Sequence, residues 1–104
     1  MTAYQRGAKF ERAVKADLED HGYFCVRAAG SRSSLDVLAV RKGARALLVQ
    51  AKLHGRIDPD ERNQLISDAL SADGLPVLAE KEEDGKIAYW VVAYDRGRGT
   101  RLAP

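Results

Sequence analysis

The chain has 104 residues, 45% of them hydrophobic, and 17 basic against 15 acidic side chains give a formal net charge of +2 at pH 7. This length and composition predict one domain with one modest core, and no apolar run is long enough to span a bilayer. The single cysteine, Cys25, excludes an internal disulfide, and no Cys/His spacing is typical of a zinc site. The N-terminus has no apolar signal region, so we expect a cytoplasmic protein in which Cys25 is a small buried residue.

The charge is unevenly distributed along the chain. Residues 1–56 carry 11 Lys/Arg against 5 Asp/Glu, a balance of +6, whereas residues 57–104 carry 6 against 10, a balance of −4. A basic surface raises the local concentration of polyanions such as nucleic acid. An ordinary solvated surface is the alternative interpretation, and charge alone does not decide between the two.

Two helices are predicted from the spacing of apolar residues and from their end signals. The first covers residues 2–20, and Gly22 just beyond it acts as the terminating residue. The second follows Asp58 and Pro59, a cap with proline at the first helical position, and Gly74 ends it. The residues expected to face the core are Ala3, Phe10, Val14 and Leu18 in the first helix and Leu65, Ile66, Ala69 and Leu70 in the second.

Five strands are predicted from runs of β-branched and aromatic residues. They cover residues 23–27, 35–41, 45–53, 75–80 and 86–94, and the tight turn at 42–44 makes the second and third an antiparallel hairpin. Residues 96–104 form a basic, glycine-rich segment, which we expect to be a disordered tail behind a folded domain of residues 1–95. The order αβββαββ predicts an α/β domain with a central mixed sheet flanked by helices.

Polar residues interrupt the apolar strands of the predicted hairpin. Asp36 stands at the start of one strand, and Gln50 and Lys52, near the end of the next, share a face because side chains alternate. The carboxylate of Asp36, the amide oxygen of Gln50 and the backbone carbonyl of Ala51 are ligands that suit Mg²⁺. An ammonium beside them, that of Lys52, can orient an attacking water or stabilise charge on a phosphate. This combination is typical of a metal-dependent phosphodiesterase.

Each of these residues also has a simpler interpretation. Asp36 can pair with a neighbouring arginine, and Gln50 and Lys52 can form a solvent-facing stripe on an edge strand; the three together favour the metal site. Glu11, at the border of the apolar stripe of the first helix, is a fourth candidate, which would lean toward Asp36 and hold the metal through water. An intrahelical pair with Lys15 is its alternative, and the sequence leaves both open.

Candidate contacts to nucleic acid surround these residues. Hydroxyls, guanidinium groups and backbone amides are the usual phosphate contacts, and they position a duplex without reading its sequence. The serine-rich loop before Asp36 has this composition, and a flexible loop is the alternative explanation for the basic residues that follow Lys52. The candidates are Arg6, Lys9, Arg12, Arg27, Ser31, Arg32, Ser33, Ser34, His54 and Arg56.

The arrangement resembles the PD-(D/E)XK nuclease superfamily, in particular its small archaeal- and phage-type Holliday junction resolvases. Residues 6–12 are similar to the opening helix of that family, whose glutamate aligns with Glu11, and residues 22–28 to its first strand. Asp36 falls on the metal-binding aspartate, and residues 50–52 fall on the acid-x-Lys step. Gln64 resembles a family glutamine near the site, which adds it to the candidate DNA contacts.

The chain departs from the family pattern at two positions. Leu35 replaces the proline that usually precedes the aspartate. Gln50 replaces the usual glutamate, which keeps a carbonyl oxygen but removes one negative charge, so Mg²⁺ should bind more weakly.

The resemblance implies a restriction-endonuclease-like fold and cleavage of branched, four-way junction DNA that depends on Mg²⁺, with Mn²⁺ as a substitute. It also implies a homodimer. We expect the protein in the nucleoid, or in the host cytoplasm if it is phage-encoded, with neither a membrane nor a small-molecule cofactor as a partner. The apolar segment 75–78 or the apolar segment 89–92, with Trp90 as an anchor, is expected to supply the dimer contact. Two alternatives stay open: a repair- or restriction-like nuclease for duplex ends or flaps, and a DNA-binding module whose metal site is weakened at Gln50.

Overall fold

Two helices and six strands make up the computed structural model, which describes residues 1–28, 33–94 and 96–104. The strands form one sheet in chain order, antiparallel throughout except where the second helix crosses between β3 and β4, which run parallel. The predicted mixed α/β architecture is therefore confirmed. The elements are α1 (Ala3–Asp20), β1 (Phe24–Arg27), β2 (Val37–Val40), β3 (Leu47–Ala51), α2 (Pro59–Ser71), β4 (Leu75–Lys81), β5 (Ile87–Ala93) and β6 (Arg96–Leu102).

Side-chain caps fix where both helices begin. The Thr2 hydroxyl accepts a hydrogen bond from the Gln5 N–H, and the Gln5 side chain accepts one from the Thr2 N–H, which together form a capping box. The Asp58 carboxylate accepts from the Glu61 N–H at 3.0 Å, with Pro59 at the first helical position, as the sequence predicted. No helix within the described ranges is long and apolar enough to cross a membrane.

The two helices cover opposite faces of the sheet. On one face, α1 packs on β1, β2 and β3. Cys25 lies in this core, and its burial raises the pKa of its thiol. On the other face, α2 packs on β3, β4 and β5. Ala3 and Leu70, which the sequence placed inward, are exposed, Leu70 at 69%. The main core residues are Phe10, Val14, Leu18, Cys25, Val37 and Val49 on the α1 side and Leu48, Leu65, Ile66, Ala69, Leu78 and Val92 on the α2 side.

The α2 face of the sheet is covered over only part of its width. Phe24 and Val26 on β1 and Val40 on β2 lie beyond the reach of α2 and are 60%, 53% and 41% exposed. Phe24 lies opposite Val40, and both point to the same face, because cross-strand neighbours share a face. These three residues are the open patch of the sheet.

The apolar segments expected to form a dimer contact are buried over about half of their residues. Four of their residues are less than 5% exposed: Val77, Leu78, Tyr89 and Val92. Val77 and Tyr89 belong to the core on the α1 side of the sheet, and Leu78 and Val92 belong to the core on the α2 side. Trp90 packs against the α2 side and donates its indole N–H to Glu80 at 2.9 Å. Leu75, Pro76, Trp90 and Val91 are half-buried and are the parts of these segments that a second copy could reach, so a dimer contact there stays a prediction.

The segment expected to be a disordered tail is a strand. β6 pairs antiparallel with β5, with Trp90 opposite Arg101 and Val91 opposite Thr100. Gly99 has φ of +73°, and a Cβ there would lie 1.9 Å from the Val91 carbonyl oxygen, so the backbone of β6 passes too close for any other residue. The expectation of disorder is wrong because it rested on composition, whereas the open edge of β5 supplies the hydrogen-bond partners.

Candidate metal centre

The hairpin of β2 and β3 fixes Asp36 by its backbone. Asp36 immediately precedes β2, its N–H donates to the Val49 carbonyl at 2.7 Å, and its carbonyl accepts from the Ala28 N–H at 2.8 Å. Its carboxylate accepts a hydrogen bond from the Ala51 N–H at 2.8 Å. The acid is therefore held against the last residue of β3 by the main chain of its neighbours.

The end of β3 presents backbone groups to two different neighbours. The Lys52 N–H donates to the Ala79 carbonyl of β4 at 2.9 Å, whereas the Ala51 N–H donates to Asp36. Because the N–H and C=O of one strand residue point to the same side, the Ala51 carbonyl faces the side of the strand on which Asp36 lies. Carboxylate and backbone carbonyl thus belong to one edge, and the half-buried Gln50 precedes them on β3.

Lys52 lies just past the end of β3 and is paired with an acid on α2. Its Nζ is 2.7 Å from Glu61 Oε2, and the two side chains are 30% and 36% exposed. The sequence analysis missed Glu61, because an acid in the first turn of a helix is explained by the helix dipole alone. Only the crossover from β3 to α2 reveals that it meets Lys52.

The electrostatic environment of Asp36 disfavours its charged form. Burial raises the pKa of its carboxyl, the hydrogen bond from Ala51 opposes this, and the charges of Glu11 and Glu61 raise the pKa further while Lys52 lowers it. A cation bound beside Asp36 would favour the ionised form of its carboxyl.

Glu11 is paired across elements and not along its own helix. Its Oε1 lies 3.3 Å from the Nε of Arg27 on β1, and Lys15, the partner that the alternative interpretation required, pairs with Glu19 at 2.9 Å. The pair brings Glu11 to the end of β1, close enough to Asp36 to affect its pKa. Arg27, a predicted phosphate contact, is half-buried and engaged with Glu11.

The chemistry of the ligands fits a hard divalent cation. A carboxylate, an amide oxygen and a backbone carbonyl are all oxygen ligands, and Mg²⁺ needs few from the protein because it keeps several waters. Across the described part of the chain, no three His, Cys, Asp or Glu side chains lie close enough together to hold a metal. A metal held beside Asp36 would therefore need further oxygen ligands, and Gln50 and the Ala51 carbonyl stay the candidates.

A second network ties the loop before Asp36 to α2. The Ser34 hydroxyl donates to one oxygen of Asp68, and the Gln64 amide donates to the other at 3.0 Å. Ser34 and Gln64, both predicted near DNA, are thus brought together by an acid that the sequence analysis did not single out. Ser33 is exposed, and its hydroxyl accepts from the Leu35 N–H at 3.3 Å.

The remaining predicted DNA contacts differ in how the structure places them. Arg6 and Lys9 are exposed on α1 and line a cavity of about 310 Å³ together with Leu53, which follows Lys52. The basic residues of α1 therefore lie next to Leu53, the residue that follows Lys52 in the candidate site. Arg12, His54 and Arg56 are exposed, and Ser31 and Arg32 lie outside the described residues.

Comparisons with known proteins identify sequences and a structure that are similar to this chain. Residues 2–95 match the family model described as archaeal Holliday junction resolvase (Hjc). A curated relative named crossover junction endodeoxyribonuclease Hjc, from Methanocaldococcus jannaschii, is 35% identical over 82 residues. The match covers 75% of this chain and 60% of that protein, so the chain spans about three fifths of the length of that relative.

A solved structure has the same fold. Archaeoglobus fulgidus Hjc, described as a Holliday junction resolvase, matches with a TM-score of 0.69 at 24% sequence identity. The match covers 81% of this chain and 70% of that one. The likeness confirms the arrangement of helices around the sheet.

Proposed function

The chain belongs to the archaeal Holliday junction resolvase (Hjc) family, and on that premise we propose that it is an endonuclease that cleaves branched DNA with a divalent metal. The observation that carries the proposal is the Asp36 carboxylate, which is fixed on the Ala51 N–H beside Lys52 at the end of β3. We propose the cytoplasm, where chromosomal or phage DNA lies, as the place of action.

The candidate residues have separate roles in this proposal. Asp36, Gln50 and the Ala51 carbonyl would hold Mg²⁺, or Mn²⁺ in its place, and Glu11 would hold a metal-bound water. The metal, when bound, polarises the scissile phosphate and lowers the pKa of the attacking water. Lys52 would place its ammonium against the developing charge of the transferred phosphate, where a fixed positive charge stabilises the transition state.

Recognition of DNA in this proposal depends on phosphates. Arg6, Lys9, Arg12, His54 and Arg56 present donors on the surface. α2 packs its apolar side on the sheet and begins with Asp60 and Glu61, so it does not offer a basic helix for a groove. Contacts of this kind make affinity fall steeply with salt, and they select DNA by its shape.

We propose that the active form is a homodimer. A four-way junction requires two symmetric cuts, which a two-fold axis supplies. The open patch of Phe24, Val26 and Val40 offers exposed apolar surface on neighbouring strands, where a second copy can cover it. Light scattering at micromolar protein should give a dimer, and Phe24→Ser should shift it toward monomer without changing the far-UV circular dichroism. A wild-type monomer with and without DNA contradicts the proposal.

One experiment separates the resolvase from its alternatives. The protein is incubated with Mg²⁺ or Mn²⁺ and a panel of four-way junction, flap and linear DNAs of equal length, and nicks are mapped. A resolvase makes paired cuts in the junction and binds it at least about tenfold more tightly than linear duplex, about 1.4 kcal/mol. Equal affinity with cleavage of flaps or ends identifies a general nuclease, and binding without cleavage identifies a DNA-binding module weakened at Gln50.

A further inference from the structure

Lys52 lies just beyond the strand that carries Gln50 and Ala51. β3 ends at Ala51, and residues 52–58 that follow belong to neither a strand nor a helix. A lysine ammonium is carried on a flexible stem with four rotatable bonds. The hydrogen bond from the Lys52 N–H to Ala79 fixes the backbone but leaves the direction of the side chain undetermined.

Two acids compete for the Lys52 ammonium. The positive charge of Lys52 lowers the pKa of Asp36. The Asp36 carboxylate accepts a hydrogen bond from the N–H of Ala51, the residue before Lys52. An ammonium that folded onto Asp36 would occupy the oxygens that a metal needs, and a metal there would repel the ammonium. In the structure the ammonium contacts Glu61 at 2.7 Å instead.

The backbone of Glu61 is held in place by the start of α2. It is the third residue of α2, and its N–H is bonded to the Asp58 cap at 3.0 Å. Leu65, one turn further along α2, is fully buried in the sheet-facing layer, so the face that carries Glu61 is turned toward the sheet. The helix start and the packing of the next turn therefore fix the backbone from which the Glu61 carboxylate reaches Lys52.

We propose that Glu61 is a positioning residue that holds the Lys52 ammonium away from Asp36, in the direction from which it acts on the scissile phosphate. The inference deepens the proposed function and rests on it for the role of Lys52 in cleavage. It assigns to α2 a part in the reaction although α2 contributes no proposed metal ligand. Because Glu61 holds the Lys52 ammonium away from Asp36, Asp36 stays available to the metal and Lys52 stays available to the phosphate.

The experiment compares Glu61→Gln with Asp60→Asn, which removes the same charge from the same helical turn at an exposed side chain. The first readout needs no DNA: ¹⁵N NMR of the Lys52 ammonium, assigned by its loss in Lys52→Ala, reports how ordered it is. We expect an ordered signal in the wild type and in Asp60→Asn and a broadened, rapidly exchanging one in Glu61→Gln. An equally ordered signal in Glu61→Gln overturns the inference.

The second readout is a double-mutant cycle in single-turnover cleavage of a four-way junction. Glu61→Gln should slow cleavage about tenfold with junction affinity within about twofold, and in the Lys52→Ala background it should change the rate less than about twofold. An equal loss in both backgrounds means that Glu61 acts independently of Lys52, for example on the metal, and overturns the inference. A wild type that cleaves no branched DNA contradicts the proposed function, whereas the NMR comparison still tests whether Glu61 orders Lys52.

Discussion

The two halves of the candidate site are built in different ways. Asp36 and Ala51 are held by hydrogen bonds of the β2–β3 hairpin, whereas Lys52 and Glu61 are held by an ion pair between half-buried side chains. A strand register cannot slip without moving every side chain to the opposite face, but an ion pair with about a third of its surface exposed is screened and contributes little to stability. The backbone half should therefore be rigid and the side-chain half adjustable.

Removal of the acid in the rigid half should have the largest effect. Asp36→Ala should reduce cleavage at least about a thousandfold, because metal binding supplies several kcal/mol of transition-state stabilisation. Junction affinity, measured without metal, should stay near that of the wild type, because we assign it to the basic surface. Cleavage at ordinary Mg²⁺ by this variant would remove Asp36 from the site.

A change in the adjustable half should be smaller and should act on rate. Lys52→Ala should lower single-turnover cleavage about 10²- to 10³-fold, the range for loss of one group that stabilises developing charge. Affinity for the junction should change little, since that charge exists only in the transition state. Fluorescence anisotropy gives the affinity; an equal loss in both quantities would make Lys52 a phosphate contact.

The position that departs from the family pattern tests the metal ligands directly. Gln50→Glu restores one negative charge and should tighten Mg²⁺ or Mn²⁺ binding about tenfold, with activity maintained at lower metal concentration. Isothermal titration calorimetry on the protein without DNA measures this, with Glu83→Gln in the β4–β5 turn as a charge-changing control. Identical metal titrations for Gln50→Glu and the wild type would show that Gln50 does not touch the metal.

The smallest expected effect is a gain in stability. The pKa of Asp36 is raised in the fold, mainly by burial, so the native state loses stability as pH rises from the ordinary aspartate range through the raised value, and the loss persists at neutral pH. Asp36→Asn keeps the oxygen that accepts from Ala51 without the charge, and should raise the melting temperature at pH 7 in EDTA.

That gain should disappear in acid, where the wild-type carboxyl is protonated as well. Thermal unfolding by circular dichroism at neutral and acid pH gives the comparison. A gain of the same size at both pH values would trace the stability to packing, and the absence of any gain would show that the Asp36 charge costs nothing in the fold.

Local patterns determined much of the frame of this protein. The apolar stripes of α1 and α2, the Asp58–Pro59 start of α2 and the turn between β2 and β3 follow from spacing and backbone preference, which act over a few residues. Asp36 and residues 50–52 were identifiable for the same reason, because polar residues in apolar strands stand out against the alternation. The sequence also indicated the family through residues that lie close together along the chain.

Only the tertiary structure decided which distant residues meet. Three contacts join residues of different elements: Glu61 with Lys52, Asp68 with Ser34, and Glu11 with Arg27. The acid of each pair, seen in its own helix, is explained as an ordinary surface residue. β6 was missed likewise, because its glycine-rich composition favours disorder until β5 offers an edge of unpaired backbone groups. Composition and spacing measure what a segment prefers alone, whereas these contacts depend on how distant elements pack: α2 crosses over the end of β3, α1 lies on β1, and β6 pairs with β5.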